Sequence, residues 1–230
     1  MKFTLVEKKD EAPKTKSFFW KPDTTFNFEP GQYLYYTLPK LAYPDPRGAV
    51  LDFTIASSPT EELIQLTTRI RKSGFKKTLD ELPVGSEVEA EGPNGSFYLD
   101  SKTSGSQVFI AGGIGITPFR SMIKYNVDNN LKIPMDLIYS NSDENFVFKK
   151  EFDNWQKDSD FIKIYYHDSS KLGHLGRQKI SNVIRKWNVE DKKPTFWLAG
   201  PPNFVDSMEL ILEKTKIPDE RIKSDKFIGY

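Results

Sequence analysis

The residues Ala111-Gly112-Gly113-Ile114-Gly115-Ile116-Thr117-Pro118 lie between a β-like run and a helix-like one, and their types suit anion binding. Glycines let a backbone approach a ligand closely and turn its amides toward a negative charge. Thr117 reads as an N-cap and Pro118 as the first helical residue, where a missing N–H costs nothing. Free amides, a positive helix end and no obstructing side chain together suit a phosphate or pyrophosphate. The alternative is a tight strand-to-helix turn that needs glycine for packing alone. The segment has neither the Gly-Lys-Ser/Thr of a phosphate loop nor a full Gly-x-Gly-x-x-Gly.

Other chemistries are poorly supplied. The chain has no cysteine and two histidines, His167 and His174, so thiolate, iron–sulfur and His-rich metal sites are excluded and no metal is expected. Neither histidine sits in a motif, and surface or loop positions are expected for both. Lys and Arg number 33 against 32 Asp and Glu, a balance that argues against nucleic acid or a membrane surface as partner. The first residues, MKFTLVEKKDEAPKTK, are charged throughout and do not read as a signal peptide; no apolar run is long enough to span a membrane, and the expected location is cytoplasmic.

The elements that would position the glycine turn change character once along the 230 residues. Up to about residue 100 the chain reads as short strands at Phe3–Val6, Ser17–Trp20, Tyr33–Leu38, Asp52–Ala56, Leu63–Ile70 and Glu87–Glu91, with one helix at Phe75–Leu82. The turn at Glu29-Pro30-Gly31-Gln32 is well formed for its type. Strand-and-turn spacing of this kind suggests a small antiparallel barrel or sandwich. After the polar stretch 101–106, strands at Gln107–Ala111, Met135–Ser140, Phe161–Tyr166 and Thr195–Ala199 alternate with helices near Pro118–Tyr125, Phe148–Trp155, Arg177–Trp187 and Asn203–Lys214. That alternation argues for a parallel sheet covered on both faces. The expected fold class is β + α/β: an antiparallel β-barrel over 1–101, then a parallel-sheet α/β nucleotide-binding domain over 102–230.

Six segments, in order, resemble the ferredoxin–NADP+ reductase superfamily: Phe28-Glu29-Pro30-Gly31-Gln32-Tyr33, Phe53-Thr54-Ile55-Ala56-Ser57-Ser58-Pro59, Gly92-Pro93-Asn94-Gly95-Ser96-Phe97, the glycine turn, Ala199-Gly200-Pro201-Pro202 and Asp225-Lys226-Phe227-Ile228-Gly229-Tyr230. The likeness is to compact bacterial reductases without a fused iron–sulfur domain. It implies a flavin, FAD ahead of FMN, on the barrel, and NADH or NADPH as substrate on the second domain. Electrons would pass to a separate small carrier such as ferredoxin, flavodoxin or an oxygenase component. A free-flavin reductase and a non-catalytic nucleotide- or flavin-binding subunit are the alternatives. A flavin carries its own redox chemistry, so the lack of cysteine is no obstacle.

By the same resemblance Phe53 lies against the flavin ring, Thr54 approaches flavin N5, and Ile55 and Ala56 also bind the flavin. Arg71, Ser73, Gly74, Phe75 and Thr78 form the second flavin segment, where a helix start holds phosphates. Gly112, Gly113, Gly115, Thr117, Pro118, Gly200 and Pro201 receive the nicotinamide nucleotide, and Ser140 and Asn141 its ribose. Phe227 or Tyr230 covers a flavin face. The run Arg69, Arg71, Lys72, Lys76 and Lys77 reads equally as part of that phosphate site, as a solvated face, or as a docking patch for an acidic carrier.

Two positions depart from the pattern. Leu51 replaces the arginine that pairs with a flavin phosphate, a loss of about 1.5–3 kcal/mol if uncompensated. Arg47 or the basic run stands in for it on this reading, and Leu51→Arg is expected to tighten flavin binding. Ala199 replaces a cysteine beside the nicotinamide. No Lys or Arg occurs between Lys132 and Lys149, and Asp143 and Glu144 follow Ser140-Asn141-Ser142, which favours NADH over NADPH.

Overall fold

Alternating large apolar residues begin the chain, and in the computed structural model, which describes residues 1–100, 102–186, 193–215 and 217–228, they form a hairpin. Strand β1 (Lys2–Ala12) pairs antiparallel with β2 (Thr15–Pro22) across Pro13-Lys14, burying Phe3, Leu5, Phe18 and Trp20. A bulge between Leu5 and Glu7 breaks the alternation. The rest of β1 is the polar Glu7-Lys8-Lys9-Asp10-Glu11, held by its partner strand rather than by its own pattern, so the strand outruns the expected Val6.

Strands β3 (Tyr33–Thr37), β4 (Val50–Thr54), β5 (Ile64–Arg69) and β6 (Glu87–Asn94) complete a six-stranded antiparallel sheet in the order β4-β3-β6-β1-β2-β5. A single bridge, Ile55 to Leu66, joins its two outer members, and Ala56 N–H donates to Gln65 O at 2.8 Å, closing the sheet into a barrel. Phe3, Phe18, Trp20, Leu34, Tyr36 and Leu66 fill the interior. Helix α1 (Gly74–Glu81) packs Phe75 and Leu79 onto the same core. By internal contacts this first unit comprises 1–100 together with Arg120–Tyr125.

The second unit comprises the described residues of 102–119 and 126–228. It contains β7 (Gln107–Gly112), β8 (Met135–Asn141), β9 (Ile162–Asp168), β10 (Thr195–Gly200) and β11 (Ile222–Lys226), all parallel, in the order β11-β10-β7-β8-β9. The helices are α2 (Thr117–Asp128), whose Arg120–Tyr125 count with the first unit, α3 (Lys149–Asp158), the short α4 (Ser169–Leu172), α5 (Arg177–Lys186) and α6 (Pro202–Glu213). Successive strand residues point to opposite faces. Val108, Ile110, Phe196 and Leu198 meet Ile180 and Ile184 of α5 and Val205 and Met208 of α6. On the other face Phe109 stacks on Phe119 of α2, ring centroids 4.7 Å apart, and meets Trp197 edge-on. Strand β11 goes beyond the sequence pattern: Ile222-Lys223-Ser224-Asp225-Lys226 is too polar to announce itself, and β10 recruits it by backbone pairing.

Candidate functional site

In the parallel sheet the chain runs β7, β8, β9 to one side and then returns to the other side of β7 as β10. The reversal makes the carboxyl ends of β7 and β10 a topological switch point, where open α/β sheets leave a crevice. Gly112 ends β7 and Gly200 ends β10. The 3-10 turn Gly113–Ile116 follows Gly112 and runs straight into α2. Ser140 pairs in register with Gly112, and Asn141 ends β8 beside it. Pro201 precedes α6, and Phe227 N–H donates to Gly200 O at 2.9 Å. Thus Gly112, Gly113, Gly115, Gly200, Pro201 and Phe227 come together, with Ser140 and Asn141 one strand away. Tyr230, the other aromatic candidate, lies outside the described residues.

Packing explains part of the glycine content. A side chain on Gly115 would strike the backbone of Ala199 and Gly200, and one on Gly112 would meet the Phe204 ring at 2.6 Å. Strands β7 and β10 and helix α6 therefore approach closely only because these residues are glycines. No side chain caps the start of the 3-10 turn or of α6.

Thr117 is a correction. It already has helical angles, φ −58° and ψ −47°, and its hydroxyl donates back to Ile114 O at 3.1 Å. The 3-10 turn moves the helical start upstream to Gly113, so Thr117 is not an N-cap and Pro118 is not the first helical residue. The side-chain amide of Asn141 donates to Asp143 O, Asp143 Oδ1 and Asn145 O, organising the loop after β8. Glu144 is ion-paired with Lys171, which also lies 3.7 Å from Asp168. His167 is likewise not at the surface: it is buried at the end of β9, its Nε2 donating to Gly173 O at 2.8 Å while Nδ1 has no partner among the described residues.

In the barrel unit the expected flavin residues fall into two groups. Phe53 and Thr54 end β4 half-exposed, and no hydrogen bond is made by the Thr54 hydroxyl among the described residues. The Phe53 ring packs on Tyr36 and Phe75, with Lys76 Nζ 5.8 Å from its centroid. Ile55 and Ala56 give their amides to Gln32 O and Gln65 O. Arg120, absent from the sequence-based candidates, fixes the segment beyond: it donates to Ala56 O and makes a two-pronged contact with Glu61 at 2.9 and 3.1 Å. Leu51 belongs to the barrel core and is 8% exposed, so an arginine there would have to turn its side chain out of the core to reach a phosphate.

The second group is committed to the chain itself. Ser73 caps α1 by accepting from Lys76 N–H, and its hydroxyl donates to Asp45 Oδ2 at 2.6 Å. Phe75 N–H also donates to Asp45 Oδ2, at 3.0 Å. Gly74 abuts the carbonyls of Tyr43 and Pro44, leaving no room for a side chain. Thr78 donates to Gly74 O and accepts from Ala42 N–H. Arg71 is exposed. Burial alone would raise the Asp45 carboxyl, but hydrogen bonds from Ser73, Phe75 N–H and Arg47 hold it well below the usual carboxylate range. The start of α1 therefore does not fit a flavin phosphate in this arrangement: a carboxylate of the chain already stands there.

The oxidoreductase NAD-binding domain family matches residues 109–209. Flavohemoprotein A of Dictyostelium discoideum is 23% identical over 239 residues, covering 98% of this chain and 59% of that protein. NADH-cytochrome b5 reductase 1 of Cryptococcus neoformans is 34% identical over 167 residues, 65% of this chain and 56% of that protein. The chain thus spans a little under three fifths of these two relatives (59% and 56%). Among solved structures, the ferredoxin-NADP+ reductase of Plasmodium falciparum superposes with a TM-score of 0.83 at 17% identity, covering 98% of this chain and 95% of that one. That likeness is one of fold.

Proposed function

We propose that the chain is a flavin-dependent NAD(P)H oxidoreductase of the ferredoxin–NADP+ reductase superfamily, passing electrons from reduced nicotinamide to a separate acceptor. The observation that carries this reading is the glycine-lined switch point between β7 and β10, inside the stretch matched by the NAD-binding family. The uncapped 3-10 turn offers backbone donors for the dinucleotide phosphates, whereas α6 opens on Pro201 and Pro202, which have no N–H to give. The nicotinamide ring would lie at Gly200 and Pro201, where β10 ends, with Phe227, tied to Gly200, beside it. Asn141 holds the loop that meets the ribose. Lys171 reaches that loop but is committed to Glu144 and Asp168, which supports NADH over NADPH.

On the barrel unit we assign the flavin ring to the end of β4, with Thr54 as the hydroxyl available to it and Phe53 as its apolar support. A flavin supplies the hydride acceptor and the means of releasing electrons singly, chemistry that protein side chains lack. The acceptor we envisage is a small electron-transfer protein such as ferredoxin, flavodoxin or an oxygenase component. A second reading, in which flavin is exchanged as a substrate rather than retained, is favoured by the contacts of Asp45 at α1.

The test is an anaerobic titration of the purified protein with NADH and then NADPH, before and after adding FAD or FMN. Bleaching of a co-purifying flavin band, with NADH ahead, is the expected outcome. Turnover only with added flavin selects the second reading. A protein that neither binds nor reduces any flavin would refute the proposal and leave a non-catalytic nucleotide-binding role.

A further inference from the structure

We propose that Asp45 is a specificity-determining residue whose carboxylate competes with a ligand phosphate for the start of α1, so that the barrel unit recognises a flavin by its ring and gains little from its phosphate. The inference deepens the flavin reading above and rests on it. Four contacts place the carboxylate. Oδ2 accepts from Ser73 Oγ at 2.6 Å and from Phe75 N–H at 3.0 Å, while Oδ1 accepts from Arg47 N–H at 3.0 Å and from Arg47 Nε at 3.4 Å. These are the donors that an anion at a helix N-terminus would use. The Asp45 side chain is 2% exposed, covered by these donors although the loop that carries it lies largely at the surface.

The surroundings have the same character. Lys76 is buried on α1, and Arg47, Arg71 and Arg69 act on it as like charges, with Asp45 opposing them. A cluster so rich in cations favours an anion in its midst, and the chain supplies one. Asp45 arrives on the segment Pro44-Asp45-Pro46-Arg47, whose two prolines restrict the backbone. Ala42 N–H, the Tyr43 and Pro44 carbonyls and Gly48 N–H fasten the same segment: to Thr78 Oγ1, against Gly74, and to Asp45 O respectively. A phosphate reaching Ser73 and Phe75 N–H must displace this carboxylate, and electrostatic repulsion opposes both being present.

The experiment uses the full chain and the variants Asp45→Asn and Asp45→Ala. Dissociation constants for riboflavin, FMN and FAD are read from flavin fluorescence, and thermal midpoints are read with and without inorganic pyrophosphate. Wild type should bind FMN within about threefold of riboflavin, whereas a charge-assisted phosphate contact would tighten FMN about tenfold or more. Asp45→Ala should tighten FMN and FAD about tenfold with riboflavin unchanged, and Asp45→Asn, which keeps an acceptor for Phe75 N–H, should shift them less. Pyrophosphate should raise the midpoint of the alanine variant and leave wild type unmoved. An FMN preference already large in wild type overturns the proposal without any variant. Unchanged flavin ratios together with pyrophosphate indifference in a folded variant overturn it as well. If no flavin binds any form while pyrophosphate protects Asp45→Ala, the competition stands and the flavin reading falls.

Discussion

The start of α1 and the turn leading into α2 each have a glycine at or beside them, and they end up in opposite states. At α1 a serine cap and an aspartate brought from 28 residues upstream saturate the first donors, and the neighbouring backbone presses on Gly74. At the turn leading into α2 no side chain caps the first residues, and the glycines instead let β10 and Phe204 close in from behind. The first is an anion seat with its anion built in. The second is a tightly backed turn whose front belongs to backbone alone. Glycine beside a helix start therefore says that something comes close, and only the three-dimensional neighbours say whether that something is the chain or a ligand.

The contrast can be broken most forcefully at its backing. Gly115→Ala drives a methyl into β10 backbone and should cost about 2–3 kcal/mol in urea unfolding, with loss of nucleotide binding. Gly176→Ala, with nothing within 4 Å, should be close to neutral. Equal effects at the two positions would mean that β7 and β10 are not packed as described.

The next effect concerns the cations around the filled seat. Burial first, then Arg47 and Arg71, push the Lys76 ammonium down to about 8, with Asp45 opposing and Arg69 adding. A lysine depressed in the folded state destabilises it below that value and ceases to do so at lysine's ordinary value of about 10.4. Wild-type stability should therefore climb between those limits, and Lys76→Met should abolish the climb and gain on the order of 2 kcal/mol near neutrality. A variant that keeps the climb would place its origin elsewhere.

Asp45 works in the opposite sense. Its folded value lies below the ordinary carboxyl value of about 3.9, so its contribution is complete above that pH and fades as pH falls through the folded value. Asp45→Asn should cost about 1–2 kcal/mol at neutral pH, with the difference from wild type shrinking in acid. A gap that persists unchanged at low pH would show that shape rather than charge holds the segment. The smallest effect is at the β8 loop. Glu144→Gln releases Lys171 from one partner and should improve the NADPH-to-NADH ratio by a few-fold at most, as expected for an exposed pair. A change of a hundredfold would instead make Glu144 a direct determinant of nucleotide choice.

Much of this was legible in the residues. Alternating apolar strands, then strand–helix alternation, give the barrel and the parallel sheet in the right order, and the glycine turn marks the end of β7. What escaped depends on partners far along the chain. Strand β11 exists because β10 pairs with it, and the polar half of β1 because β2 does. Thr117 misled because a cap motif looks the same whether or not a 3-10 turn precedes it. Asp45 reads as an ordinary loop residue between two prolines, and nothing near it in sequence points to Ser73. Arg120 likewise gives no hint, on its helix, that it grips Ala56 and Glu61. These are long-range polar contacts, and local periodicity does not encode them.

The barrel's closure has a consequence for motion. Five of its seams are ladders of paired residues, whereas the sixth rests on the bridge between Ile55 and Leu66 and the bond from Ala56 to Gln65. A cylinder opens where it is least stitched, so transient parting should concentrate there. Amide deuterium uptake at Ala56, whose N–H crosses this seam, should then outpace that of the β1–β2 ladder. The chain's breathing would be localised one residue beyond Thr54, where a planar ring would have to settle.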